Sequence, residues 1–133
     1  MDEMRSRHIS VVIAATRNEV YSFAADPDNL SRWAAGLASG VRRDGDLLIT
    51  QSPMGEVSVR FAPPNPFGVL DHDVTLPDGT VVANPLRVLE HPDGAEVVFT
   101  VRQRDLSDDE FEADCAAVEG DLEALRQVVT EAS

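Results

Sequence analysis

Six apolar residues near the end of the chain, Phe111, Cys115, Val118, Leu122, Leu125 and Val129, recur at steps of four, three, four, three and four. That spacing puts them on one face of an α-helix, which the sequence predicts from Ser107 to Glu131, about 36 Å long at 1.5 Å per residue. Ser107-Asp108-Asp109-Glu110 opens it as a capping box, with acids placed favourably at the helix N-terminus. A long helix with one greasy face needs a broad apolar surface opposite it. The only candidate in this chain is a sheet.

The middle of the chain is punctuated by turn signals at Asp44-Gly45, Pro53-Met54-Gly55, Pro77-Asp78-Gly79 and Pro92-Asp93-Gly94. Between them lie Val-, Leu-, Ile-, Phe- and Thr-rich segments, predicted as strands over roughly 38–43, 46–52, 56–62, 67–76, 80–90 and 95–104. Pro63-Pro64-Asn65-Pro66 excludes strand interior and marks a longer connection. Strands joined by such tight turns pair antiparallel, because parallel neighbours need long crossovers.

Upstream, residues 8–15 alternate and read as a first strand. Thr16-Arg17-Asn18-Glu19 is a second capping box, starting a short helix to about Ala25 that buries Val20, Phe23 and Ala24. Asp26-Pro27 starts another, carrying Leu30, Trp33 and Ala34 inward and stopping at Gly36. The order β-α-α followed by six strands and a long helix defines an α+β fold. It consists of a curved seven-stranded antiparallel sheet gripped by the C-terminal helix, with two short helices. All 133 residues make one domain, with residues 1–7 expected as a flexible N-terminus.

Charge narrows the partners. The 24 acids and 11 bases leave a net charge of −13, which argues against nucleic acid and against an anionic membrane. Every base is Arg, so Lys-dependent Schiff-base and phosphate-loop chemistry is excluded. No apolar run reaches the length of a membrane helix, and none follows Met1-Asp2-Glu3-Met4-Arg5 as in a signal peptide. With a single cysteine, these features lead to the expectation of a cytoplasmic protein.

The opening strand, the paired short helices of Ala15-Thr16-Arg17 through Ser31-Arg32-Trp33 and the long closing helix together resemble the SRPBCC superfamily. These are the Bet v 1-like, START and polyketide-cyclase-like helix-grip proteins, and the resemblance covers about residues 8–130. It implies a cavity between sheet and C-terminal helix, with Trp33 near one rim. It does not imply one activity, since the superfamily includes lipid and sterol carriers, cyclases, oxygenase subunits and co-chaperones.

Within that frame the candidate ligand-facing residues are Trp33, Phe61, His72, Asn84, Phe99, Phe111 and Cys115, and His72 is the candidate catalytic group. In Val69-Leu70-Asp71-His72-Asp73-Val74-Thr75-Leu76, a period of two puts Leu70, His72, Val74 and Leu76 on one face and the carboxylates on the other. His72 is then either a proton donor or acceptor for a ligand, or a core histidine with its own hydrogen bond. Asn84 either orients a polar ligand group or, with Pro85, marks a kink. Trp33 either stacks on a ligand or plugs a junction, and Cys115 is a small hydrophobe or a nucleophile. Asp114 flanks the stripe of the last helix. Phe67 and Met54 are expected in the core or at its rim. His8, His72 and His91 are too scattered for a metal site, and no cofactor motif is present.

Three functions follow. The first is a binding module for a small hydrophobic or aromatic molecule, and the second a cyclase or aromatase-like enzyme using His72. The third is an interaction protein resembling the Hsp90 activators, with a filled core. Homodimerisation stays open, because an edge strand has to be paired or protected.

Overall fold

A computed structural model describes residues 3–37 and 40–132. The chain runs β1 (Ser6–Ile13), α1 (Arg17–Ala25), α2 (Leu30–Trp33), β2 (Arg42–Asp44), β3 (Leu47–Ser52), β4 (Gly55–Phe61), β5 (His72–Thr75), β6 (Val81–Asn84), β7 (Leu86–His91), β8 (Gly94–Arg102) and α3 (Asp108–Ala132). The α+β class and the long closing helix are as expected. The single seven-stranded sheet is not: among the described residues eight strands form two antiparallel sheets, ordered β1-β8-β7 and β2-β3-β4-β5-β6.

The break has a local cause. The predicted strand 80–90 is interrupted by Pro85, which has no N–H to donate to a ladder. β6, before it, pairs with β5; β7, after it, pairs with β8. The predicted strand 67–76 crosses the same crease. Val69 bridges to Arg87 of β7 and Leu70 N–H donates to the Leu86 carbonyl at 2.8 Å, whereas His72–Thr75 belongs to the other sheet. Asp71 clips the crease, because its Oδ1 accepts Leu86 N–H at 2.9 Å and Arg87 Nε at 2.8 Å, and its Oδ2 accepts Arg87 Nη2 at 2.7 Å.

Two local devices shorten β5 at its start. Asn65 Oδ1 accepts both Phe67 N–H and Val69 N–H at 3.0 Å, folding the proline-rich connection on itself. Gly68 then lies so close to β7 that a Cβ there would fall 2.2 Å from the Val88 carbonyl oxygen, and its φ of +76° also suits glycine. Tyr21 holds the connection from below, its hydroxyl accepting Asn65 N–H at 3.1 Å.

The helices begin as their caps dictate. The Ser107 box closes fully, with Glu110 N–H to Ser107 Oγ at 3.1 Å and Ser107 N–H to Glu110 Oε1 at 2.9 Å. Only the Thr16 half of the first box forms, with Glu19 N–H to Thr16 Oγ1 at 3.1 Å. The helix expected to run from Asp26 to Gly36 is three pieces: a 3₁₀ turn over Pro27–Asn29, α2, and a second 3₁₀ turn over Ala35–Leu37. Ala34 is extended, and that ends α2 at Trp33. Strand β1 starts at Ser6, inside the segment expected as a flexible end, and the strand predicted at 38–43 is only Arg42–Asp44, residues 38 and 39 lying outside the described set.

α3 lays its stripe on β1 and β8. Phe111, Cys115, Leu122, Leu125 and Val129 are buried there with Ile9, Ile13, Val97 and Val101, and each such large side chain contributes about 1.5–3 kcal/mol of burial. Phe67 and Met54 stand 71% and 76% exposed, outside both core and rim. Among the described residues no helix is long and apolar enough to cross a membrane.

Candidate functional site

The stripe of α3 covers the three-stranded sheet. The five-stranded sheet lies instead opposite the flank of α3 and the α2 segment, and there the side chains do not meet. A half-open cavity of about 320 Å³ remains, walled by Leu30, Trp33 and Leu37 on the helical side and by Val57, Val59, Phe61, Val74 and Phe99 on the strands. Other surface depressions are as large, such as one of about 500 Å³ over β3, β4 and the β5–β6 turn, but their walls are more polar. The apolar wall and the few polar groups set into it distinguish this cavity.

Trp33, Phe61, His72, Asn84 and Phe99 all line it. Period two on β4, β5 and β6 brings three of them together, since Phe61 pairs with His72, and His72 with Asn84, across adjacent strands. Phe111 and Cys115 are elsewhere. They lie in the packed core under α3, where Arg5 and Arg7 cover the Phe111 ring at 5.1 and 5.2 Å. The other stripe residues face the three-stranded sheet with them, except half-buried Val118, which lines the cavity together with Asp121.

His72 is held between rings, 4.7 Å from Phe61 and 5.7 Å, edge-on, from Phe99. Its Nδ1 lies 3.0 Å from the Leu70 carbonyl oxygen. A carbonyl only accepts, so Nδ1 carries the proton, and in the neutral ring Nε2 is left as a bare acceptor. Burial pushes the imidazole below its ordinary value, which keeps it neutral. One nitrogen therefore makes a structural bond, and the other has no hydrogen-bond partner among the described residues.

Asp121 is the polar residue that sequence reasoning missed. Its Oδ1 accepts Ala35 N–H at 3.1 Å, tying α3 to the 3₁₀ turn after α2, and burial pushes its carboxyl up. Asp114, the acid that the sequence places at the margin of the stripe, is two turns earlier and exposed. The remaining polar wall groups are largely occupied: Thr50 Oγ1 donates to the Gly40 carbonyl at 3.0 Å and Ser52 Oγ to the Gly55 carbonyl at 2.9 Å. Trp33 differs, because its indole Nε1–H is buried without a partner among the described residues. No Arg lines the space. Among the described residues no three His, Cys, Asp or Glu side chains converge as metal ligands.

The chain has a helix-grip fold with a Bet v 1-like architecture, and solved structures agree. A protein from Bacillus thuringiensis superposes with a TM-score of 0.75 at 14% identity, covering 95% of this chain and 99% of its own. Ara h 8.0201, a Bet v 1 homologue, gives 0.68 at 11% identity, covering 97% and 99%. DynU16, a protein of the dynemicin biosynthetic locus, gives 0.73 at 13% identity, covering 94% of this chain and 47% of that one. No protein-family model matches the sequence, and no curated protein matches it significantly. At these identities the likeness is one of fold.

Proposed function

We propose that this protein is a binding module that holds one small hydrophobic or aromatic molecule in the cavity between the five-stranded sheet, α2 and α3. The observation that carries this is the contrast within one interior. Under the α3 stripe the side chains pack solid, while about 320 Å³ beside it stays open behind an apolar wall. That volume is at the lower end of the roughly 300–1,000 Å³ typical of small-molecule sites. The open space counts against an interaction protein with a filled core. The test is thermal unfolding in the presence of a library of small apolar and aromatic molecules: a ligand at about 100 times its Kd adds about 2.7 kcal/mol. A library without a single stabilising compound defeats the proposal.

His72 supports a second, cyclase-like reading, since a neutral imidazole with a free Nε2 inside an apolar cavity is suited to take a proton from a confined substrate. His72→Ala separates the two readings. Turnover lost with binding retained identifies an enzyme.

A further inference from the structure

The cavity also states what kind of polar group its occupant carries, an inference that rests on the binding-module reading above. Trp33 is 6% exposed and lines the cavity, yet its Nε1–H has no partner among the described residues. A buried donor left unsatisfied is unfavourable; Nε1 itself is closed to a water-sized contact, so an acceptor on the occupant relieves it once the indole edge turns to meet the bound molecule. His72 offers the complementary group, a bare Nε2 acceptor produced by the Nδ1 bond to the Leu70 carbonyl. Asn84, its cross-strand neighbour, makes no side-chain hydrogen bond to a described residue and adds an amide able to donate or accept.

Charge is treated differently from polarity. None of the lining residues is an Arg, and the chain has no Lys, so a carboxylate entering the cavity meets no cation. It would instead approach Asp121, the one acid among the described lining residues. A charge buried without a partner is far more unfavourable than a buried hydroxyl. An ammonium group fares better only to the extent that Asp121 ionises, and burial opposes that ionisation.

We propose that the occupant is an uncharged molecule bearing a hydroxyl, its oxygen accepting Trp33 Nε1–H and its O–H donating to His72 Nε2, and that the cavity rejects carboxylates of the same skeleton. A matched series tests this by calorimetric or fluorescence titration at pH 7.5: naphthalene, 2-naphthol, 2-naphthoate and 2-naphthylmethylammonium. Naphthalene and 2-naphthol are expected to bind, the naphthol about tenfold tighter, which is what one net hydrogen bond supplies. The naphthoate is expected to show no measurable binding, and the ammonium compound to bind more weakly than the naphthol.

Trp33→Phe keeps the ring and removes the donor. It should lower 2-naphthol affinity toward that of naphthalene and leave naphthalene binding nearly unchanged. Equal or tighter binding of either charged compound overturns the inference, as does naphthol binding no tighter than naphthalene. Unchanged naphthol affinity in Trp33→Phe removes Trp33 from it. Those comparisons use the unmodified protein or a variant that still binds naphthalene, so a folding defect cannot imitate them. If all four compounds fail, naphthalene included, the binding-module reading falls and takes this inference with it.

Discussion

Asp121 reaches from the middle of α3 to the backbone N–H of Ala35, 3.1 Å away, and so joins the closing helix to the turn that forms one side of the cavity. Burial raises its carboxyl above the unfolded value, so its contribution to stability is largest at low pH and is lost as pH rises through the raised value. Asp121→Asn keeps an oxygen acceptor for Ala35 and removes the charge. The variant is expected to melt a few degrees higher than the parent at pH 7, with the advantage shrinking as pH falls and vanishing below the unfolded value of about 3.9, where both states of the parent become protonated. A melting series across that range checks it, and an advantage independent of pH contradicts it.

His72 acts in the opposite sense. Its native imidazole is held below the ordinary value near 6.5 by burial, so the unfolded chain takes up a proton that the folded one refuses. Its contribution is fully present above about pH 6.5 and is lost as pH falls toward the native value. Urea midpoints measured from pH 7.5 to 5 should decline with acid, and His72→Leu should flatten that decline. An equal decline in the variant would assign it to other groups.

Truncation should distinguish the solid part of the interior from the hollow part. Leu125 is fully buried under the α3 stripe, and Leu125→Ala is expected to destabilise by about 2–5 kcal/mol. Ala34 lines the open space, so Ala34→Leu has room to extend. That variant should unfold within about 1.5 kcal/mol of the parent, the range of tolerated hydrophobic exchanges, and should lose naphthol binding. Denaturant titration with and without ligand reads both effects.

The Asp71 clip offers a test of the crease. Leu86 is fully buried, and Asp71→Ala strands its N–H while also releasing Arg87. A loss of about 1–3 kcal/mol is expected, the usual effect of an unsatisfied buried donor. Asp71→Asn keeps an acceptor for Leu86 and should lose less. The Arg87 guanidinium holds the Asp71 carboxyl below its ordinary value, so the parent keeps this contribution at neutral pH and loses it as pH falls through that lowered value.

Most of the architecture was legible because its signals are periodic or local. The α3 stripe, the Ser107 box and the Gly-containing turns each depend on residues a few positions apart. The same alternation brought Phe61, His72, Asn84 and Phe99 to one cavity. The crease was not legible as a break between sheets, although Asn84-Pro85 marked a kink, because which ladder each half joins depends on distant β5 and β8. Phe111 and Cys115 fall outside the cavity because the stripe, Val118 apart, does not face it. Two surfaces compete for α3, and the packed one takes the stripe. Asp121 was hidden for a related reason. On a helix crowded with acids, only the docking of Ala35 singles one out.

The interruption at Pro85 divides labour within a small domain. β1, β8 and β7 form a foundation under α3, and β2 through β6 form a wall beside it, with the Asp71 clip and the Pro85 carbonyl bond to Thr100 N–H at 3.0 Å among the ties between them. Under the proposed binding role, residues of the wall can be exchanged to suit a different guest while the foundation keeps its packing. A protein built this way is a natural scaffold for retargeting, with the side chains of β4, β5 and β6 as the place to begin.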